Sequence, residues 1–127
     1  EFLVFSVYMP TDSANNLDEF IDCLAEINAV IETCSVDSAY ILGDFNAHPG
    51  SLFGTELLDF CVEQKWTCVD VERLGVLSNS YTYLSDAWGT TSWLDHIITT
   101  EVATKSVSSV NIRYEVSWSD HFAVELI

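Results

Sequence analysis

At 127 residues, 49% of them hydrophobic and 13% aromatic, the chain is long and apolar enough to form one globular domain with a core. No apolar run approaches the roughly 18 residues that cross a bilayer, so we expect no membrane contact. The formal net charge is −16, and only 4 residues are Lys or Arg. Proteins usually hold nucleic acid by neutralising its phosphates, so this charge argues against a polyanion as ligand unless metal ions or a further segment change the balance.

A strand and a helix are predicted at the start of the chain. Residues 2–8, FLVFSVY, place apolar residues on both of the faces between which the side chains of a strand alternate. This pattern predicts a strand that is buried on both faces and ends at Met9 and Pro10. The next segment predicts a helix with Asn16 as its N-cap and Glu19 as the capping-box partner. The apolar stripe of this helix consists of Leu17, Phe20, Ile21, Leu24 and Ile31.

The alternation of strand and helix then repeats. Residues 38–43 predict a second strand, and a second helix is expected from about Thr55 to Lys65. Its inward-facing residues are expected to be Leu57, Leu58 and Cys61. Residues 66–71, WTCVDV, predict another strand or the approach to one.

After residue 75 the helical stripes disappear. Strands are predicted in SYTYLS, SWLDHIITT, SVSSVNIRY and HFAVELI, separated by Ser, Asn, Asp and Gly. Alternating strands and helices followed by consecutive strands predict a layered α/β sandwich with a sheet of partly mixed direction.

The cysteines indicate neither a set of disulfide bonds nor a zinc-binding motif. Cys23, Cys34, Cys61 and Cys68 form no CxxC pair, and no His stands at zinc-finger spacing from them. Cys23 and Cys61 fall inside helical patterns, where cysteine is usually a small buried hydrophobe. We therefore expect reduced thiols and an intracellular protein.

Polar groups collect where the predicted strands begin and end. Asp44 and Asn46 lie in GDFN, Asp95 in WLDHI, and Asp120 with His121 in SDHFAV. Each has an ordinary alternative, such as an Asx turn at Asp44 or a hydrogen-bonded surface imidazole at His121. Their common position is more informative, because charged residues are normally kept away from strands, and ligands bind where strand ends converge.

The residue types in this group fit metal-assisted chemistry. Three carboxylates suit a hard cation such as Mg²⁺ or Mn²⁺, and an acid beside a His can fix the orientation of the imidazole. The sequence therefore predicts metal-dependent hydrolysis of a phosphate ester.

The ordered blocks VYMP, GDFNAHPG, YTY, SWLDHI and SDHFAV resemble the endonuclease/exonuclease/phosphatase superfamily. Within it the chain is most similar to the endonuclease domain of LINE-type retrotransposons, relatives of apurinic endonucleases. The resemblance runs from Tyr8 to the C-terminus. It implies a four-layered α/β sandwich in which two sheets pack face to face.

The resemblance also implies roles for the catalytic residues. Asp44 matches the aspartate that orients and deprotonates the attacking water, and Asn46 matches the asparagine that holds the phosphate. His121 matches the histidine that stabilises charge on the phosphoryl oxygen, and Asp95 matches the partner that orients this histidine. We expect Asp95 and His121 to form a hydrogen-bonded pair.

Further roles concern the metal and the substrate. Asp120 matches a metal-site aspartate that acts together with Asp44. Tyr8 matches a tyrosine that contacts the scissile phosphate, and Thr82 falls where a phosphate-contacting Thr is common in these endonucleases. His48, Pro49 and His96 recur in relatives and receive no role. We expect Tyr8, Asn46 and Asp120 to converge on the same cleft as the other site residues.

The resemblance further implies that residues 1–127 are the C-terminal portion of one domain. Its first strands would lie upstream, together with an Asn and a metal-binding Glu that precede the VYMP block in the family. The implied partners are DNA, the upstream remainder of the domain and a reverse transcriptase domain in the parent chain. The implied location is the nucleus.

Three functions remain open from the sequence. The first is a DNA-nicking endonuclease of the retroelement type, with the fragment itself weakly active or inactive. The second is a phosphatase of the same superfamily acting on a phosphoinositide or another small phosphate ester, which the charge of −16 favours. The third is a decayed fragment without catalysis.

Overall fold

The structure is a computed structural model, and it describes residues 1–116 and 118–127. The strands are β1 (Leu3–Tyr8), β2 (Ala39–Asp44), β3 (Thr67–Cys68), β4 (Tyr83–Leu84), β5 (Thr91–Ser92), β6 (Asp95–Thr99), β7 (Val110–Arg113) and β8 (Ala123–Leu126). The α-helices are α1 (Leu17–Cys34), α2 (Leu52–Gln64), α3 (Val69–Leu74) and α4 (Glu101–Thr104), and a 3₁₀ turn (Ala14–Asn16) precedes α1.

Four strands form a mixed central sheet in the order β1-β2-β6-β3. β1 runs parallel to β2, whereas β6 is antiparallel to both β2 and β3. The described residues also form two small antiparallel sheets, β4 with β5 and β7 with β8. The predicted α/β class with a sheet of mixed direction is therefore confirmed.

Helices α1 and α2 cover one face of the central sheet. Ile41 of β2 and Ile98 of β6 are fully buried beneath them. The rings of Phe20 in α1 and Phe53 in α2 stack with centroids 4.2 Å apart, and both side chains are 0% exposed. Complete burial of one such side chain contributes about 1.5–3 kcal/mol, so this contact is a main reason why α1 and α2 stay on the sheet.

The opposite face of the sheet is only partly covered. β7 and β8 pack over part of it, through a small core that includes Ile97, Val107 and Val110. Val4 of β1 remains 57% exposed, so β1 is buried on one face only, and the prediction of burial on both faces is wrong. The described residues thus build three successive layers: helices, central sheet and the β7–β8 sheet.

Several predicted element boundaries differ from the structure. Asn16 provides no side-chain cap for α1, because its Nδ2 donates to the Thr11 carbonyl instead, so the predicted capping box is not formed. α2 begins at Leu52, earlier than predicted, because the Ser51 hydroxyl accepts the Gly54 N–H and caps it. A cap of this kind is worth about 1 kcal/mol.

The segment WTCVDV is mostly not a strand. Only Thr67–Cys68 is extended, and α3 starts at Val69, since the strand-like run of apolar residues also supplies one buried turn of helix. The short helix α4 (Glu101–Thr104) also lies in the region for which only strands were predicted.

All four cysteines are free thiols, with Cys61 and Cys68 buried and Cys34 exposed. Within the part of the chain that the structure describes, no helix combines the length and apolar character needed to cross a membrane.

Candidate active site

Two neighbouring strands bring Asp44 and Asp95 together. Asp44 ends β2, Asp95 begins β6, and the antiparallel register places these two residues directly opposite each other. Side chains alternate between the faces of a strand, so Asp44 lies on the same face as Leu42, away from α1 and α2. Ile97, two residues after Asp95 on β6, shares the face of Asp95, whereas Trp93, which precedes the strand, packs in the core on the helix side.

Gly43 allows β1 and β2 to approach each other next to the site. Its φ is +141°, and a Cβ at this position would lie 2.1 Å from the carbonyl oxygen of Val7. Any other residue would therefore push β1 away from β2. The close approach of β1 therefore explains why a glycine precedes Asp44 in the GDFN block.

His121 reaches Asp95 from the C-terminal segment. Its backbone forms an isolated antiparallel bridge with Tyr83, and the amide of Phe122 donates to the carbonyl of Thr82 at 2.7 Å. The imidazole Nδ1 then donates to Asp95 Oδ2 at 2.7 Å. The expected hydrogen-bonded pair of Asp95 and His121 is present.

The other imidazole nitrogen faces Asp44. His121 Nε2 lies 3.7 Å from Asp44 Oδ2, so the imidazole stands between the two carboxylates. Burial opposes the charged ring, but the hydrogen bond and charge of Asp95, assisted by Asp44 and Asp120, outweigh it and hold the pKa of His121 above its ordinary value. The arrangement therefore favours a positively charged imidazole.

Partial burial raises the pKa of Asp44. This desolvation is the largest influence, and the nearby charge of Asp95 adds to it, whereas the backbone N–H of Asn46 partly offsets both by donating to Asp44 Oδ1 at 2.9 Å. A carboxylate whose pKa is raised is a better proton acceptor than an ordinary surface aspartate.

Asn46 is held in a left-handed conformation beside Asp44. Its φ is +49°, a region that Asn tolerates better than most residues, and its Nδ2 donates to the carbonyl of Met9 at 2.8 Å. The amide of Met9 in turn donates to the carbonyl of Asp44. The end of β1 and the GDFN loop are thus fastened together, and these contacts leave the second N–H of the Asn46 side-chain amide unused.

Tyr8 lies next to Asp44 and is open to solvent. The parallel register pairs Tyr8 with Asp44, and the tyrosine is 84% exposed. This position at the rim of the site would allow contact with a bound molecule.

Thr82 has a different environment from the one expected for it. It is 0% exposed, and its hydroxyl oxygen accepts the backbone N–H groups of Leu94 and Asp95, each at 3.0 Å. A hydroxyl committed to two buried amides is not available to a phosphate in this structure. The geometry instead ties Thr82 to the backbone of Asp95.

Asp120 does not join the group of Asp44, Asp95 and His121. It is exposed, and its side chain lines a separate cavity with Trp118 and Phe122. Its carbonyl accepts the Leu84 N–H, and its carboxylate is not among the donor atoms of Asp44, Asp95 and His121 that lie within 4.8 Å of one another. Asp44 and Asn46 therefore lie together beside the His121 pair with Tyr8 next to them, as expected, whereas the carboxylate of Asp120 lies outside the group of close donor atoms.

Among the residues that the structure describes, two groups of side chains have donor atoms close enough to hold a cation. In the first, ligand atoms of Asp44, Asp95 and His121 all lie within 4.8 Å of one another, and all three residues are partly accessible. Two carboxylates facing a partly open cleft are a donor set that suits Mg²⁺, which keeps several water ligands. The second group, Cys68, Asp70 and His96, is completely buried.

Sequence reasoning missed Asp70. It is 0% exposed, and its carboxylate forms an ion pair with His96 at 2.7 Å. The signal was present in the sequence VDV, where an acidic residue stands between two apolar residues that are themselves buried. Such a carboxylate needs buried partners.

Asp44 and Asp95 stand at the ends of the two central strands, β2 and β6, as expected from the resemblance to the endonuclease/exonuclease/phosphatase superfamily. The profile of one of its families, described as endonuclease-reverse transcriptase, matches residues 2–125. The chain belongs to this family, and the resemblance inferred from its sequence blocks is confirmed.

Solved structures share the fold. The 3′-5′ exonuclease NExo from Neisseria meningitidis superposes with a TM-score of 0.77 at 17% identity, covering 95% of this chain and 59% of the exonuclease. A structure of the 3′ phosphatase NExo from Neisseria, bound to a product DNA hairpin, gives a TM-score of 0.79 at 16% identity, with coverages of 98% and 60%. The chain thus spans about three fifths of the length of these structures. A search of curated proteins gave no match.

Proposed function

We propose that this chain belongs to a phosphodiesterase that depends on Mg²⁺ or Mn²⁺ and nicks DNA. The observation that carries the proposal is the position of the His121 imidazole, 2.7 Å from Asp95 and 3.7 Å from Asp44. A proton acceptor and a charge-stabilising donor on two sides of one cleft are what in-line attack on phosphorus requires.

In this proposal the three residues divide the work. Asp44 orients the attacking water and accepts its proton, which the raised pKa of its carboxylate favours. His121, held by Asp95, presents its Nε2 proton to the phosphoryl oxygen on which negative charge grows. Asn46 holds the phosphate, and Tyr8 contacts it from the exposed rim of the site.

The carboxylates would hold the cation. The Asn46 N–H binds only Oδ1 of Asp44, so Oδ2 is left to bind the cation. Asp120 would have to turn towards the cleft to become a further ligand of the cation. When bound, a divalent cation supplies the positive charge that offsets the phosphate and the crowded aspartates.

The charge of the chain bears on the substrate. Of its four basic residues, Arg73 is bonded to the carbonyls of Val107 and Ser108, and Arg113 to Glu115 and Glu125. Few cations therefore remain for DNA phosphates, and this observation favours a small phosphate ester as the second candidate substrate. The DNA hairpin bound by the similar phosphatase supports DNA.

We also propose that residues 1–127 are the C-terminal portion of one domain, adjoined by a reverse transcriptase in a parent protein that acts in the nucleus. In support, the chain spans about three fifths of the similar structures. An apolar groove of about 750 Å³ also lies between the central sheet and β8. Its lining includes Phe2, Val4, Leu42, Phe122, Val124 and Leu126. An upstream segment packed in this groove would complete the second sheet and add the expected metal-binding Glu.

The test is plasmid nicking at millimolar Mg²⁺ by this chain and by a version extended upstream. Each is compared with its Asp44→Ala variant. We expect weak nicking by the chain and strong, Asp44-dependent nicking by the extended protein, because a cation that lacks one charged ligand binds less tightly.

Small phosphate esters serve as the second substrate in the same assay. Asp44-dependent hydrolysis of the esters without nicking would support the phosphatase alternative. Equal, Asp44-dependent nicking by both forms would show that the upstream Glu is dispensable. No Asp44-dependent hydrolysis by either form would support the non-catalytic alternative.

A further inference from the structure

The carboxylate of Asp70 is the centre of a buried hydrogen-bond network outside the cleft. Its Oδ2 accepts from His96 Nδ1 at 2.7 Å and from Trp93 Nε1 at 2.8 Å. Its Oδ1 accepts the Ile97 N–H at 3.0 Å and the Cys68 thiol at 3.4 Å. Asp70, Trp93, His96 and Cys68 are all buried.

Two of these partners continue to the GDFN loop. His96 uses its second ring nitrogen, Nε2, to donate to the carbonyl of Ala47 at 2.7 Å. The backbone N–H of Trp93 donates to Nδ1 of His48 at 2.9 Å. Asp70 is therefore linked through one imidazole to Ala47, which follows Asn46 directly.

A third partner of Asp70, the Ile97 amide, belongs to the strand that carries Asp95. The Ile97 amide bonded to Asp70 lies two residues after Asp95 on β6, and His96 lies between them. One buried carboxylate in α3 thus fixes both segments that supply the aspartates of the cleft. It does so from the opposite face of the sheet, since His96 points away from the face of Asp44 and Asp95.

A metal ion is not needed to explain this group. Both oxygens of Asp70 accept two bonds each, and both nitrogens of His96 face an acceptor. Among the described residues no buried polar side-chain atom lacks a partner. The network is complete as it stands, which is the condition under which a buried polar group makes a structure rigid.

We propose that Asp70 is a positioning residue that holds Asp44 and Asp95 at the spacing in which His121 fits between them. The inference rests on the proposed function for its effect on rate, but its effect on geometry is independent of that function. Asp70 touches neither substrate nor cation in this proposal and acts through His96 and the backbone of β6.

The test is Asp70→Asn, with Glu72→Gln as the matched control. Asn keeps the shape of the side chain but replaces one acceptor oxygen with an NH₂ donor. In one orientation of the amide this donor faces the donors of Trp93 and His96. In the other orientation it faces the donors of Ile97 and Cys68. Glu72 is exposed on the same helix, so its variant removes a negative charge without touching the network.

The first measurement is the NMR resonance of the His121 Nδ1 proton, which reports its bond to Asp95. We expect it to be shifted or lost in folded Asp70→Asn and unchanged in Glu72→Gln. In the nicking assay of the upstream-extended protein we expect kcat to fall by about 100-fold with little change in KM, because misplacing catalytic groups by about 1 Å costs a factor of this size. A merely structural role would change the amount of folded protein and leave both values in the folded fraction unaltered.

A second variant decides the matter if Asp70→Asn does not fold. Trp93→Phe keeps a ring in the core and removes only the Nε1 donor, and we expect the same changes at smaller size. A wild-type His121 resonance and a wild-type kcat in the folded variants would overturn the inference. A changed resonance, found together with an upstream-extended wild-type protein that shows no Asp44-dependent nicking, would support the positioning role and reject the proposed function.

Discussion

His121 and Asp95 are joined by a bond of 2.7 Å between Nδ1 and Oδ2, although 25 residues of sequence separate them. The bond has two consequences for the imidazole. It fixes the ring so that Nε2 points at Asp44, and it stabilises the protonated form. The pair thus determines both the direction and the charge of the group that we propose meets the phosphate.

The first prediction concerns this pair. In Asp95→Asn the pKa of His121 should fall towards its ordinary value, because the variant removes the negative charge that outweighs burial. NMR titration of the His121 ring protons measures the change. Asp59→Asn, on the exposed surface of α2, is the control and should leave the titration unaltered. An unchanged midpoint in Asp95→Asn would show that the bond contributes little to the charge of the ring.

The second prediction concerns stability and pH. The pKa values of both His96 and His121 are raised above 6.5, in each case because a partner aspartate outweighs the opposing effect of burial. A raised pKa in the folded state means that the stabilisation is complete below pH 6.5 and is lost as the pH rises through the folded value. We therefore expect the free energy of unfolding to decrease as the pH rises above 6.5.

Urea denaturation at a series of pH values measures this decrease. In a His96→Gln, His121→Gln double variant the dependence over the same range should be much smaller. A wild-type stability that is constant or increases over this range would contradict the prediction.

The third prediction concerns Thr82. Thr82→Val should destabilise the protein by about 1–3 kcal/mol, because the amides of Leu94 and Asp95 lose their buried acceptor. Thr82→Ser keeps the hydroxyl and should lose much less. Thermal or urea unfolding compares the two variants. Equal stability of Thr82→Val and the wild type, with a loss confined to substrate affinity, would favour the phosphate contact inferred from the sequence.

The fourth prediction concerns the cation. Asp44→Asn should weaken Mn²⁺ binding more than Asp120→Asn, because Asp44 lies in the group of close donor atoms and Asp120 lies outside it. Isothermal calorimetry gives the affinities, with Asp59→Asn as a surface control. A larger loss in Asp120→Asn would indicate that the Asp120 carboxylate turns into the cleft when the cation binds.

The fifth prediction tests the burial of the thiols. Burial raises the pKa of the Cys61 thiol to about 12, and Cys68 is also raised, whereas Cys34 is exposed at the end of α1. A thiol reagent at neutral pH should therefore label Cys34 rapidly and Cys61 and Cys68 only after unfolding. Mass spectrometry of the labelled peptides measures the order, and fast labelling of Cys61 in the native protein would contradict the described core.

The sequence by itself determined the superfamily and several local elements, among them α1 and β2. The apolar stripe of α1 and the short apolar run of β2 are local patterns, which can be recognised without knowing what these segments contact. The GDFN and SDH blocks stand at strand ends, where polar groups are expensive without partners. They could therefore be recognised as site residues without knowing what they contact.

Only the tertiary structure decided which of these polar groups meet. The register of β2 against β6 places Asp44 opposite Asp95, and a slip of one residue would have turned one of them to the other face. The same dependence on distant pairing buried the Thr82 hydroxyl, left Asp120 outside the cleft and placed Asp70 beneath it. Such contacts follow from how separate segments pack together, and the spacing of residues along the chain does not contain that information.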